Sequence, residues 1–428
     1  MSDMFAHVVE ADGPLHGARR AWHTGRDRRQ PVRRASATGL GPDLWEIELH
    51  PVRALDALAD DIEAVTRAGA EPNIFFTLPL LRAAYPRLAR MRSRSLGPVL
   101  LLCLYLTRPD ESGEERRRLV LFAPLAVPKL GWPGRSAAMV TSTEYTPLGT
   151  PLVAADVLDE AVERLVIMLG DPELTLPSAF VLPDSRTDGP VAQAFAKAAT
   201  SLGLPHVDTQ TRTRAVHRAG EPLALSRRRQ RDHERQLRRL GDGGAITFHA
   251  ARDEGDVLDA FEAFMVLELA SWKGARGSAL YNRKHIAAFS RQSVAALARD
   301  RACVIHSVRL NGRTIASLIV LGDERTGLYA WKTAFDADYQ AASPGVQVLL
   351  AATKAVDARL APGTLIDSLA VEGHPVMDRV WAGRAPMATR LIGLHSRAGA
   401  GVDRLARAIR RRDRWRDRAK RLRDTLPF

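Results

Sequence analysis

The chain has almost no cysteine: two among 428 residues, Cys103 and Cys303, both inside apolar runs. That excludes a disulfide scaffold and any cysteine-based zinc or iron–sulfur site. A polypeptide of this length buries enough surface to fold without such staples. Long hydrophobic runs are missing too. The longest, Val99–Leu106, falls far short of the roughly 20 residues a membrane span requires. The opening residues, MSDMFAHVVEADG, lack a basic stretch leading into an apolar core, so no secretory signal is read. A soluble, cytoplasmic protein is the expectation. No G-x-G-x-x-G and no Walker loop occurs, which removes the commonest nucleotide-binding folds. His206, His217, His233 and His374 do not cluster at ligand spacing, so no metal site is expected. No serine or cysteine sits in a G-x-S-x-G setting, which argues against a hydrolase.

What the chain has instead is arginine. The net charge is +13, and only seven of the 62 basic residues are lysine. The charge is unevenly placed. Arg19–Arg34 carries +6, Arg227–Arg239 carries +5 and Asp403–Asp424 carries +7, which leaves the rest of the chain mildly acidic. Such segments suit nucleic acid, anionic lipid or acidic polymers, or stand as solvated surface.

Apolar periodicity gives the organisation. Residues 1–42 show no period and read as a basic arm without regular structure. Leu55–Arg67 and Asn73–Arg90 read as helices. Val99–Thr107 and Arg118–Val127 read as a hairpin with a long charged loop, and Ala137–Thr143 as a third strand. Ala155–Leu169 carries a helical stripe, Ala179–Leu182 is a short strand, and Pro190–Leu202 a helix. The second half follows the same order. Leu225–Leu240 and Glu254–Leu269 are helices around the strand Ala245–Ala250, and His285–Ala298 is another helix. Ala302–Leu310 and Thr314–Leu321 are strands joined by Asn311-Gly312, a strong hairpin signal. Leu328–Thr333, the helix Val346–Leu360 and the strand Leu365–Leu369 complete it. An antiparallel meander followed by a helix and a parallel strand, twice over, is an α+β mixed-sheet arrangement. The expected division is an arm at 1–42, domains at 43–215 and 216–400, and a basic C-terminal helix at 401–428.

The most informative stretch is Leu328–Leu360. A strand ends in a polar loop, and Ser343-Pro344-Gly345 opens a helix, with Ser343 as N-cap and Pro344 as first helical residue. Its first turn, Gly345, Val346 and Gln347, holds no acid, so free N–H groups and the helix dipole favour an anion there. The first-half counterpart opens with Asp156, Asp159 and Glu160, which repel one.

Several of these segments together resemble the GNAT acyltransferase superfamily in its CelD-like branch, associated with cellulose and envelope polysaccharide synthesis. That branch is similar to the Fem-type transferases, built from two GNAT-like domains. The matching residues are Phe75, Pro79 and Leu81, the arginine-rich helix Arg227–Leu240, Glu268–Lys273 (ELASWK), Asn311–Leu321 (NGRTIASLIVL), Trp331–Gly345 (WKTAFDADYQAASPG) and Asp367. The resemblance spans about 71–395 and is most specific over 225–381. One departure is visible: where the family has Gly, then Tyr-Lys, then Trp, this chain has Gly373, His374, Pro375, Val376, Met377, Asp378, Arg379 and Trp381.

The resemblance implies a fold of two tandem GNAT-like domains with mixed, mainly antiparallel sheets flanked by helices. It implies acyl-CoA, acetyl-CoA included, as co-substrate, held by Trp331, Lys332, Ser343, Gly345, Val346 and Gln347, with no metal. Transfer to an amine or hydroxyl requires a base, for which Asp367 and Glu372 are the candidates at the end of the strand after the cofactor helix. It also requires oxyanion donors, for which backbone N–H groups beside Trp331 are available. Trp272, Tyr339, Glu144 and Tyr145 are candidate acceptor contacts. The expected function is acyl transfer to an envelope or exopolysaccharide precursor, with the basic C-terminal helix resting on an anionic membrane surface. Two alternatives stand beside it: an aminoacyl-tRNA donor met by the Arg-rich segments, and a non-catalytic GNAT-like module that binds an anionic partner.

Overall fold

The computed structural model describes residues 31–38, 43–88, 99–110, 112–127, 137–140 and 145–425. Most of the expected arm, and Glu144, lie outside the described residues. The fold is α+β with mainly antiparallel sheets, and it divides into two compact units. One takes the chain to Leu78, Tyr85–Thr211 and Met387 onward; the other takes Pro79–Ala84 and Arg212–Pro386.

In the first unit β1 (Arg33–Thr38) pairs antiparallel with β2 (Leu44–Pro51). The sequence reading places no regular structure at Arg33–Thr38. The strand forms because β2 offers carboxylates on one face: Arg34 pairs with Glu46 and Glu48. After α1 (Ala59–Arg67) and α2 (Leu78–Leu88) come β3 (Val99–Pro109) and β4 (Glu115–Ala126), the expected long-looped hairpin. Val99–Leu106 is buried along its whole length, which is why it reads as an unbroken apolar run rather than an alternation. β5 (Ala137–Val140) pairs antiparallel with β4, as does the short β6 (Leu152–Val153). The chain then crosses through α3 (Leu158–Leu169) to β7 (Ala179–Arg186), parallel to β5. The stripe on α3 is buried as read: Val162, Leu165, Val166 and Leu169. α4 (Pro190–Ser201) follows.

β8 (His206–Arg218) leads into the second unit. There α5 (Arg227–Gly241), β9 (Ile246–Ala251), α6 (Glu254–Ala270), the short α7 (Trp272–Ala275) and α8 (Lys284–Arg299) precede the meander β10 (Cys303–Leu310), β11 (Arg313–Leu321) and β12 (Leu328–Phe335). Asn311 and Gly312 both have positive φ, 50° and 80°, as a type I′ hairpin requires. α9 (Pro344–Asp357) crosses to β13 (Leu365–Asp367), parallel to β12. Val348, Leu349 and Ala352 of α9 bury against Ile315, Leu318 and Val320 of β11. α10 (Met377–Val380), β14 (Gly383–Gly393) and α11 (Gly399–Thr425) end the chain.

Both units therefore run meander, helix, parallel strand, as the sequence order implied. Each adds one more antiparallel strand. β7 of the first unit pairs with residues 387–393 of β14, from the far end of the chain. β13 of the second unit pairs with Val216–Arg218 of β8. Among the described residues no helix is long and apolar enough to cross a membrane.

Candidate functional site

β12 and β13 pair at only two positions, Leu328↔Ile366 and Tyr329↔Asp367. β12 then runs on to Phe335 with β11 on one side and, among the described residues, no strand on the other. Opposite Ile319 and Val320 the register slips: their partners are Lys332 and Ala330, so Trp331 is the extra residue of a β-bulge. A bulge bends its strand and re-aims the backbone, and here it lies just where β12 and β13 part. The result is an opening whose one wall is the free edge of β12.

β13 turns away sharply. Leu369 has φ of 51°, and Gly373 has φ of 78°. Asp367 closes the narrow end of the opening. It is 5% exposed. Its Oδ1 accepts from the Leu369 N–H at 2.7 Å, and its Oδ2 accepts from Nη1 of the buried Arg214 at 3.1 Å. Both carboxylate oxygens are thus in use. Glu372 is exposed on the following loop, where its Oε1 accepts from the Thr213 hydroxyl at 2.8 Å.

α9 starts beside the end of β12. Pro344 is its first residue, as read, but Ser343 is left-handed (φ 50°) and makes no side-chain cap. The expected Ser343 cap is therefore absent: a left-handed φ turns the side chain from the geometry that caps use, which have extended backbone. The first turn carries no acid. Gly345 sits against Phe335, where an added Cβ would approach Cδ1 to 3.2 Å. Gln347 is buried and its Nε2 donates to the His233 carbonyl of α5 at 2.9 Å, so this side chain is committed away from the opening. Lys332 holds its ammonium 5.9 Å from the Trp331 ring centroid. Tyr339 is half-buried against the core of this unit.

The ELASWK segment contributes more than the sequence reading took from it. Trp272 points outward, 56% exposed, with the Arg276 guanidinium 5.3 Å from its ring. Lys273 is the residue that turns in. Its Nζ donates to the Thr333 carbonyl of β12 at 2.8 Å and to Oε1 of the buried Glu268 at 3.0 Å. Oε2 of Glu268 accepts from the Leu280 N–H at 2.8 Å. Gly274 is required by this turn, since an added Cβ would fall on the Leu269 carbonyl oxygen.

His374 also went unread. Burial pushes its pKa below the ordinary value, with Asp378 opposing and the Lys273 ammonium adding to the shift. The ring is therefore neutral near pH 7. Its Nδ1 accepts from the Val376 and Met377 N–H groups at 3.3 and 3.2 Å. That fixes the proton on Nε2 and makes the ring a hydrogen-bond donor. The signal was present in sequence, since His374 stands where the chain departs from the Gly…Tyr-Lys pattern.

Trp331, Lys332, Ser343, Gly345, Val346, Tyr339, Asp367 and Glu372 all lie in the second unit, as do Lys273 and His374. Tyr145 belongs to the first unit and is 5% exposed, so its ring is packed in that core. Among the described residues no group of His, Cys, Asp and Glu is placed to hold a metal ion.

Residues 226–363 match the family model described as an acetyltransferase (GNAT) domain. No curated protein matches the sequence. Among solved structures, the chain is similar to the C-terminal domain of a putative lysylphosphatidylglycerol synthetase from Agrobacterium fabrum, at 9% identity over 83% of this chain and 95% of that one, with a TM-score of 0.48. It is similar to FemX at 10% identity over 79% and 96%, with a TM-score of 0.49. It is also similar to a tandem GNAT protein from the clavulanic acid biosynthesis pathway, at 13% identity over 82% and 99%, with a TM-score of 0.36.

Proposed function

We propose that this protein is an acyltransferase whose second unit takes acyl-CoA and passes the acyl group to an amine or hydroxyl of an envelope or exopolysaccharide precursor, in the manner of the CelD-like branch. The observation that carries the reading is the parting of β12 from β13 at the Trp331 bulge, beside an uncapped, acid-free helix start. All of it except β13 falls within the matched segment 226–363.

The residues present suit such a co-substrate. In the first turn of α9 Pro344 has no N–H and the Val346 and Gln347 N–H groups donate to the Ser343 carbonyl at 2.9 and 3.2 Å, so the helix dipole and the Gly345 N–H are what this start offers a pyrophosphate. The bound thioester supplies the electrophilic carbonyl. The free edge of β12, beside Trp331 and Lys332, supplies backbone groups along the opening, and Lys273 with Glu268 holds that edge in place through Thr333. Acyl transfer needs a proton acceptor for the incoming amine and a donor for the developing oxyanion or the departing thiolate. The Nε2–H of His374 fills the donor role. Of the two carboxylates, Glu372 is exposed and accepts the proton, whereas Asp367, held by Arg214, positions the opening. Tyr339 and Trp272 border the acceptor side.

The test is ligand-induced stabilisation. CoA or acetyl-CoA at about 100 times its dissociation constant adds roughly 2.7 kcal/mol. Val346→Asp abolishes the shift by setting a negative charge at the helix start. An undiminished shift in that variant places the donor elsewhere.

A second reading has its own observation. α5 carries seven exposed arginines, of which only Arg235 has a carboxylate partner among the described residues, Asp232. That face suits the phosphates of an aminoacyl-tRNA donor. This reading expects salt-sensitive retention of tRNA, with a slope set by the number of arginines engaged, and no CoA shift.

A further inference from the structure

α5 and α9 face each other, joined where Gln347 meets His233. Gln230, His233, Glu234 and Leu237 of α5 stand at i, i+3, i+4 and i+7, the spacing of one helix face. Gln347, Leu350, Ala351 and Lys354 of α9 repeat that spacing. Two such stripes would ordinarily interdigitate. Here they enclose a cavity of about 690 Å³, well inside the range of small-molecule sites. The hydrogen bond from Gln347 Nε2 to the His233 carbonyl ties one helix to the other at the cavity wall. Leu223 and Phe248 close its sides, and Phe248 is 48% exposed. The cavity lies on the β9 flank of α9. β9 is the edge strand remote from β13 in this unit, with β10, β11 and β12 between. It is therefore separate from the opening between β12 and β13.

Besides its apolar side chains the lining holds Gln230, His233 and Gln347 and two charges of opposite sign. Glu234 on α5 and Lys354 on α9 both border the cavity, and neither makes an ion pair with any described residue. A carboxylate and an ammonium on opposite walls are complementary to a ligand that carries one ammonium and one carboxylate. The body between those charges must be apolar, to cover Leu223, Leu237, Phe248 and Leu350. Gln230 and the free Oε1 of Gln347 offer partners to an amide within that body.

We propose that this cavity is a second ligand site, for a zwitterion with an apolar body, of the chemistry and size of an apolar dipeptide. Its ammonium meets Glu234 and its carboxylate meets Lys354.

Calorimetric titration of the full chain with leucyl-phenylalanine tests this, with the N-acetylated and C-amidated dipeptides as charge controls. The expected result is one saturable site, weakened about tenfold by either blocking group, which removes a charge from its partner. Glu234→Gln removes the penalty for acetylation alone, and Lys354→Gln the penalty for amidation alone. Both side chains are at the surface, so these variants fold whether or not the proposal holds. Ala351→Phe fills the cavity and abolishes binding. No saturable binding at millimolar dipeptide overturns the proposal. So does binding indifferent to the blocking groups, or undiminished in a folded Ala351→Phe chain.

Discussion

Arg214 and Asp367 form a buried ion pair, at 3% and 5% exposure, where β8 meets β13. Among the described residues Arg214 Nε has no hydrogen-bond partner, and Asp367 is the carboxylate paired with this guanidinium. Asp367→Asn keeps the shape, and the amide oxygen can still accept from the Leu369 N–H. What it removes is the negative charge beside a guanidinium that cannot lose its proton. Breaking one side of a buried pair costs about 3–5 kcal/mol, whereas replacing both partners by apolar residues of similar volume is often neutral or better. The expected order is therefore specific. Asp367→Asn and Arg214→Met each lose about 3–5 kcal/mol, and Arg214→Met with Asp367→Leu recovers most of it. With urea slopes of about 1–3 kcal/mol per molar, a single-variant loss of that size moves the midpoint by about 1 M or more. The assay is urea unfolding of all four proteins, followed by fluorescence, with CoA binding measured alongside. A loss below about 1 kcal/mol in Asp367→Asn, or a double variant as unstable as the summed singles, refutes a positioning role. If turnover collapses in Asp367→Asn while stability holds, Asp367 is the base after all.

Other outcomes follow from single groups. His374→Gln lowers turnover by about 10²–10³, the usual effect of removing one oxyanion donor, and leaves the CoA-induced shift in place; near-normal single-turnover rates dismiss the residue. Burial, then the Arg252 and Arg359 charges, lower the His306 pKa to about 4. The unfolded chain then binds the extra proton first as pH falls. Stability is thus full above about pH 6.5 and drops by about 3 kcal/mol as pH falls to about 4; in His306→Leu, urea midpoints measured across that window lose this component of the fall. Replacing Arg410, Arg411 and Arg414 of α11 by Gln, with Trp415→Ala, abolishes salt-sensitive sedimentation with anionic vesicles while the fold persists. The substitutions are confined to this part of the helix because Val402, Leu405 and Ile409 pack on Val181 and Leu391, and removing them would expose the core of the first unit. Full-length chain that ignores vesicles at low salt leaves this helix without that role.

Much of this was legible before any coordinates. The meanders, the α3 stripe, the Asn311-Gly312 hairpin and Pro344 at the start of α9 are local events. Periodicity, φ requirements and the missing proline N–H specify them within a few residues. The absence of acid in the first turn of α9 is likewise a matter of composition.

What the tertiary structure alone decided are the features whose partners are distant along the chain. β8 and β14 escaped the sequence reading because their buried faces are partly polar: Arg214 and His217 on β8, Thr389 and Arg390 on β14. Such residues read as surface until Asp367, Asp357, Gln210 and Asp208 are brought to them. The pairing of these two strands leaves no local mark, since any strand supplies the same ladder of backbone groups. The site shows the same division. Asp367 looks in sequence like a free carboxylate at a strand end, and only the arrival of Arg214 from 153 residues away turns it into half of an ion pair. Lys273 reads in sequence as the end of a segment that follows a long helix, and only the fold sets it on the Thr333 carbonyl. Hydropathy and propensity sum over neighbours in the chain. A buried charge is settled by a neighbour in space, and that is what folding adds.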